Sequence, residues 1–519
     1  MTVGGQRFSH RALPLLAILA AFCWPIAGFS QSELPAGSLP AQGQSGPPAS
    51  LYPSPPVLDE LPARIDVKLP ALPLDPDQVS VYVQAVDDAR PWLAFNPDVP
   101  RTPASVIKLL TVIAGLDLLG RDYRWPTRVY VTGPIEDGRL AGDLIVKGFG
   151  DPYLSNAAYA AMIRDLRAKG IHDIGGDLVF DESHLQLPDT ERGDFDDNPF
   201  SSYNALPAAI AVNRQVTDIV AYADRAQGRV GLYTDPPLSG VDLVNEARLI
   251  QGPCRGRNHR LGVGFSEPAD ARPRIRLFGS FASECPDERT PRLLLEPAQH
   301  AASAFHALWL ELGGRIDGRI IRGTLPGGAT LFHEVWSPPL AEQIREIDKY
   351  SNNLMARQVF LALGIKRDGP PGTLDKSRAS IDAWLEEIGI PAPELIVDNG
   401  SGLSRETAIA ASTLGRLLVW AYGQPFMPEL LASMSIPGVD GTMTRRLRAE
   451  PIAGRAHLKT GTVRNASCIA GYVLDRDGRR WVVVVLVNAA DVGQRLVAWH
   501  GHAVHHEVLR WVYDGAPSE

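Results

Sequence analysis

A chain of 519 residues exceeds what one small hydrophobic core supports, so two or three domains are expected, and a hydrophobic content of 45% is enough to fill them. A formal net charge of -8, with the arginines dispersed rather than gathered in runs, excludes a nucleic-acid footprint. Lysine is scarce, at positions 68, 108, 147, 169, 349, 366, 376 and 459 against 51 basic residues in all, so a lysine in an apolar setting is conspicuous.

The first 30 residues read as an export signal. Arg7, His10 and Arg11 precede the apolar run Ala12–Phe22, small residues follow around Gly28 and Ser30, and cleavage is expected near Ser30-Gln31. Pro14, Pro25 and the shortness of the run disfavour a retained anchor, and Phe22 before Cys23 disfavours lipidation. Residues 31–65, rich in Pro, Gly and Ser, are expected to form a linker. Alternation predicts a strand over Val79–Ala85 with Trp92–Phe95 as its partner, then an apolar helix opening near Pro103, whose missing N–H suits a first turn.

From about 124 to 320, short strand-like runs (Thr127–Val131, Asp143–Lys147, Gly176–Phe180, Val230–Tyr233) alternate with helical segments near 154–168 and 298–313. Helical periodicity then returns at Pro339–Glu346, Asn353–Leu363, Leu374–Glu387 and Ala410–Tyr422. A strand over His457–Val463, a hairpin of Ala466–Leu474 with Arg480–Asn488, and a helix over about 499–513 close the chain. Strands at both ends with helices between predict one sheet assembled from distant segments, the central region being an insertion.

After export three cysteines remain. An oxidising compartment permits a Cys254–Cys285 disulfide, while Cys468 sits in an apolar stretch and reads as a buried thiol. His502 and His506 are spaced for one helix face, with His500 and His505 beside them, but no H-E-x-x-H carboxylate accompanies them and no metal is expected.

Three segments carry chemistry. Ser105-Val106-Ile107-Lys108 places a hydroxyl and an amine three residues apart, on one helix face. Lys108 lies in an apolar run, where burial lowers a lysine pKa and lets the amine accept a proton. Ser351-Asn352-Asn353 offers a hydroxyl and an amide. Lys459-Thr460-Gly461-Thr462 offers a second scarce amine on a sheet edge, with Gly461 permitting close approach of a substrate backbone.

In this order the segments resemble the S-x-x-K, S-x-N and K-T-G set of the penicillin-recognising serine acyltransferases. The 246-residue step from Ser105 to Ser351 resembles the class C low-molecular-mass penicillin-binding proteins, the D-alanyl-D-alanine carboxypeptidase/endopeptidase family. Matching phrases run from Gly142-Asp143 and Lys147–Pro152 to Asp398–Arg405 and Gly438–Thr442; Arg357 departs from the glutamate often found after the S-x-N helix start. The resemblance implies a multi-domain α/β fold with a transpeptidase/β-lactamase-like body, an antiparallel sheet flanked by helices, and two nested inserted domains. Its expected boundaries are 66–123 and 321–515 for the body, 124–149 and 231–320 for the second domain, and 150–230 for the third.

The implied reaction is acyl transfer. Ser105 is the expected nucleophile and Lys108 its base. Ser351 and Lys459 are expected to pass a proton to the leaving amine, with Asn353 holding the substrate amide. Thr460, Gly461 and Thr462 would bind substrate, and the backbone N–H groups of Ser105 and Thr462 would form the oxyanion hole. The implied partners are peptidoglycan stem peptides and β-lactams, in the periplasm, with no cofactor, metal or nucleic acid. Peripheral association with the membrane or cell wall is compatible with such a protein, and oligomeric state is left open. An exported β-lactamase or esterase with the same Ser/Lys site, or a non-catalytic peptidoglycan-binding protein, are the alternatives.

Overall fold

The computed structural model describes residues 57–66, 72, 74–256, 259–266, 272–489 and 493–516; the expected export signal and most of the linker lie outside the described residues. Five strands form the sheet of the body: β1 (Val79–Ala85), β2 (Leu93–Phe95), β3 (Ala456–Val463), β4 (Ala466–Leu474) and β5 (Arg480–Asn488). Their order is β3-β4-β5-β1-β2, antiparallel throughout, and the ends of the chain meet where Val79 to Ala85 pairs with Val487 to Trp481.

Both faces of this sheet are covered, which explains why Val482–Val487 is continuously apolar rather than alternating. Val81, Val83, Val483 and Val485 face one core together with Val504, Val508 and Val512 of the C-terminal helix (Gly493–Tyr513). Tyr82, Cys468, Tyr472, Val484 and Leu486 face the other, beneath α1 (Lys108–Leu118), α2 (Leu340–Asp348), α3 (Asn353–Asp368), α4 (Leu374–Glu387) and α5 (Ala411–Tyr422). Helix α1 is buried from Lys108 to Leu116. Such an all-round apolar helix belongs in a core, and a Cβ on its Gly115 would lie 3.0 Å from Val359 of α3. The helix expected from Pro103 opens instead with a 3₁₀ turn, Ala104–Ile107. A short helix at Met427–Ser433, lacking a full apolar stripe, was not foreseen.

The region between 124 and 336 builds its own sheets. One has the order Ile320–Arg322, Leu178–Asp181, Leu144–Gly148, Pro126–Val131, Thr330–Trp336. It packs against helices Asn156–Ala168 and Pro297–Glu311 through Tyr159, Met162, Phe305 and Trp309. A three-stranded sheet joins Val216–Asp224 to Arg229–Asp235 and Glu288–Leu293, next to a four-stranded one centred on Arg274–Ala282. The pairing crosses the expected boundaries: 144–148 lies parallel to 178–181, and the 216–235 hairpin spans residue 231. Parallel pairing between remote segments leaves no local signature, whereas a hairpin does, here through the turn at Arg225–Gly228. Cys254 and Cys285 are disulfide-bonded within this region.

Candidate active site

The 3₁₀ turn before α1 presents Ser105 at the floor of a cleft of about 1000 Å³ that is also lined by Ser351, Asn353, Thr462, Tyr203 and Arg405. Ala104 adopts a left-handed backbone with φ 48°, a conformation that a non-glycine residue holds only where its surroundings impose it. Two glycines make that possible. A Cβ on Gly402 would fall 1.9 Å from Ala104 O, and one on Gly461 would fall 2.8 Å from Ser105 N, so both segments press directly against the turn that carries Ser105.

Lys108 is fully buried, and its Nζ lies 3.0 Å from Ser105 Oγ. The same Nζ donates to Asn353 Oδ1 at 2.7 Å and to the carbonyl oxygen of Ser401. A neutral amine has two N–H donors and one lone pair. With Asn353 and Ser401 taking the donors, the lone pair is left for the Ser105 hydroxyl proton. Burial holds Lys108 well below the usual lysine range; the charges of Lys459 and Arg357 push the same way, and Asp348 opposes them. The Ser401 carbonyl is itself fixed. Asn399 Oδ1 accepts from Ser401 N at 3.1 Å and Ser401 Oγ at 2.7 Å, and Thr111 Oγ1 donates to Gly400 O at 2.7 Å.

Across the cleft, Lys459 Nζ donates to Ser351 Oγ at 3.0 Å and to Thr460 O at 2.8 Å. Burial lowers Lys459, while Asp348, fully buried beneath it and accepting a hydrogen bond from Ser433 Oγ at 2.8 Å, is raised by the same desolvation. Ser351 has φ 60°, held by the adjoining N-cap of α3, where Asn352 Oδ1 accepts from Met355 N at 3.0 Å. Thr460 Oγ1 donates to Thr442 Oγ1 at 2.7 Å, which ties β3 to the Gly438–Thr442 loop; that loop is anchored through the Lys349–Asp440 ion pair.

Ser105, Lys108, Ser351, Asn353, Lys459, Gly461 and Thr462 therefore meet in one place. Thr460 lies on the same strand and is half buried. Sequence reasoning did not assign the Ser401 carbonyl, although its Asp398–Arg405 phrase stood out. Nor did it assign the carbonyl of Tyr203, which accepts from Asn353 Nδ2 at 3.0 Å. A backbone acceptor has no side-chain signature.

His502, His505 and His506 cluster on the C-terminal helix, where Arg446 hydrogen-bonds the rings of His505 and His506. The one group of potential metal-ligating side chains among the described residues, Cys254, His259 and Cys285, has its two sulfurs joined in the disulfide. No described helix is long and apolar enough to cross a membrane.

Residues 61–500 match the model of the D-Ala-D-Ala carboxypeptidase 3 (S13) family. The chain belongs to that family. The family's relatives include a D-alanyl-D-alanine carboxypeptidase, DacB, of Haemophilus influenzae, 23% identical over 77% of this chain and 83% of the relative. A D-alanyl-D-alanine carboxypeptidase of an Actinomadura species is 29% identical over 72% of this chain and 71% of that protein. The crystal structure of penicillin binding protein 4 from Haemophilus influenzae has the same fold, with a TM-score of 0.69 at 20% identity over 86% of this chain and 100% of that one. As a family member the chain is a serine-type D-Ala-D-Ala carboxypeptidase/endopeptidase of peptidoglycan, with the α/β fold of that penicillin binding protein.

Proposed function

We propose that Ser105 is the nucleophile of this D-Ala-D-Ala carboxypeptidase and Lys108 its general base. The observation that carries the reading is the hydrogen bonding of Lys108: two fixed acceptors and one contact of 3.0 Å to Ser105 Oγ. Ser105 Oγ attacks the carbonyl carbon of the penultimate D-Ala while its proton passes to Lys108 Nζ. The backbone N–H groups of Ser105 and Thr462 take the developing oxyanion. The closeness of β3 to the Ser105 amide at Gly461 supports this pairing. Lys459 and Thr460, with Thr462, receive the terminal carboxylate; Ser351, hydrogen-bonded to Lys459, relays a proton to the departing nitrogen, and Asn353 orients the substrate amide. The C–N bond breaks, D-Ala leaves, and water then hydrolyses the acyl-Ser105 ester. A β-lactam acylates Ser105 by the same path.

The inserted region is proposed as two nested domains, the inner one spanning about 216–293 and the outer one flanking it from 124 to 336, following the strand pairing. Its Tyr203 reaches the cleft, so the balance of carboxypeptidase and endopeptidase action is proposed to depend on this region. Residues 1–30 are proposed to direct export to the periplasm, where stem peptides are found. Treatment with labelled penicillin followed by peptide mapping tests the nucleophile: the label should reside on the peptide carrying Ser105, and label on any other residue would refute the assignment.

A further inference from the structure

Arg357 is a buried cation that the reaction scheme above does not use. It lies one helical turn after Asn353 on α3, so the two side chains share a face. It is 9% exposed. Its Nη1 donates to Ala205 O at 3.0 Å, its Nε has no partner among the described residues, and no described carboxylate lies within ion-pair distance of it. Asp398 faces it but is engaged by Arg378 at 3.3 Å. A buried charge with no carboxylate in contact is costly, and arginine is the side chain least able to escape that cost by losing its proton. Burial lowers this guanidinium only to about 10, which leaves it charged at neutral pH.

Its neighbours show what such a charge does. Asn353 joins Lys108 to the inserted region, accepting from Lys108 Nζ at 2.7 Å and donating to Tyr203 O at 3.0 Å. Arg357 and Gln358 continue that seam by donating to the carbonyls of Ala205 and, at 2.6 Å, Ala208. The groups acting on Lys108 are Lys459 on β3, Arg357 on α3 and Asp348 at the end of α2, two positive and one negative.

We propose that Arg357 is a positioning residue for acylation: its buried, fixed charge, one turn behind the Asn353 that holds Lys108 Nζ, sets the electrostatic surroundings of that amine. The inference rests on Lys108 being the base for Ser105.

The test is the pH dependence of acylation by a fluorescent penicillin in the full chain and in R357K, R357Q and R357M, each normalised to the protein acylated at alkaline pH. Removing a positive charge stabilises protonated Lys108, so the acid limb should move to higher pH by about one unit in R357Q and R357M. R357K should keep the limb in place. A limb unmoved in both neutral variants overturns the proposal. Loss of alkaline acylation in both, with R357K normal, also overturns it, because an electrostatic role is dispensable where Lys108 is already deprotonated. S105A serves separately: if it is still acylated, the underlying site reading fails, whatever the Arg357 variants do.

Discussion

Lys108 is the proposed general base, and that role would explain why a lysine stands there in a chain that otherwise favours arginine. Its amine must be neutral at working pH, a state arginine does not reach. K108R should therefore reduce penicillin acylation by at least about a hundredfold, the scale of a lost general base, with thermal unfolding showing that the fold persists. The pH profile follows from the same burial. Acylation should decline as pH falls through the folded Lys108 value, which burial places well below the usual lysine range. On the alkaline side, Lys459 loses its charge earlier than an exposed lysine would. KM for carboxylate-terminated peptides should rise there before kcat falls, which steady-state kinetics across the alkaline range would reveal.

Among the elements, the turn at Ala104–Ile107 is held by backbone contacts that tolerate no added methyl. Gly402 combines φ 76° with a 1.9 Å clash at Ala104 O, so G402A should lose at least about 2 kcal/mol of stability and most of its acylation. Denaturant titration beside penicillin labelling would separate the two effects. The disulfide belongs to a different element. Cys254–Cys285 closes a separation of 31 residues, so C254S with C285S should cost about 3.7 kcal/mol, confined to the inserted region. Hydrogen exchange should show looser protection over 216–293 while acylation of Ser105 stays unchanged. Much at this scale was legible beforehand. The hairpin of Ala466–Leu474 with Arg480–Asn488 and the helices of the second half follow directly from apolar periodicity and turn residues. The 3₁₀ start before Lys108 was not, because Ser105 and Lys108 are three apart in either geometry.

Across the whole molecule, the body is readable because its two ends must pair: β1 and β5 are both too apolar to stand at a solvent-facing edge, and each covers the other. The inserted region was harder. Some of its strands, such as 178–181 with 144–148 and 320–322, join remote segments in parallel, and pairing of that kind depends on tertiary packing rather than on any local pattern. The side chains that meet in the cleft stood out by type and spacing, as an amine in an apolar run, hydroxyls and an amide. The carbonyls of Ser401 and Tyr203 did not, because every residue has one. The central proposal for the assembled molecule is that Ser105, activated by Lys108, cleaves the bond before a terminal D-Ala. The most direct test incubates the purified protein and S105A with defined D-Ala-terminated monomer and cross-linked dimer peptides, measuring released D-Ala. The account predicts release by the native protein and none above background by S105A; equal release by both would contradict it.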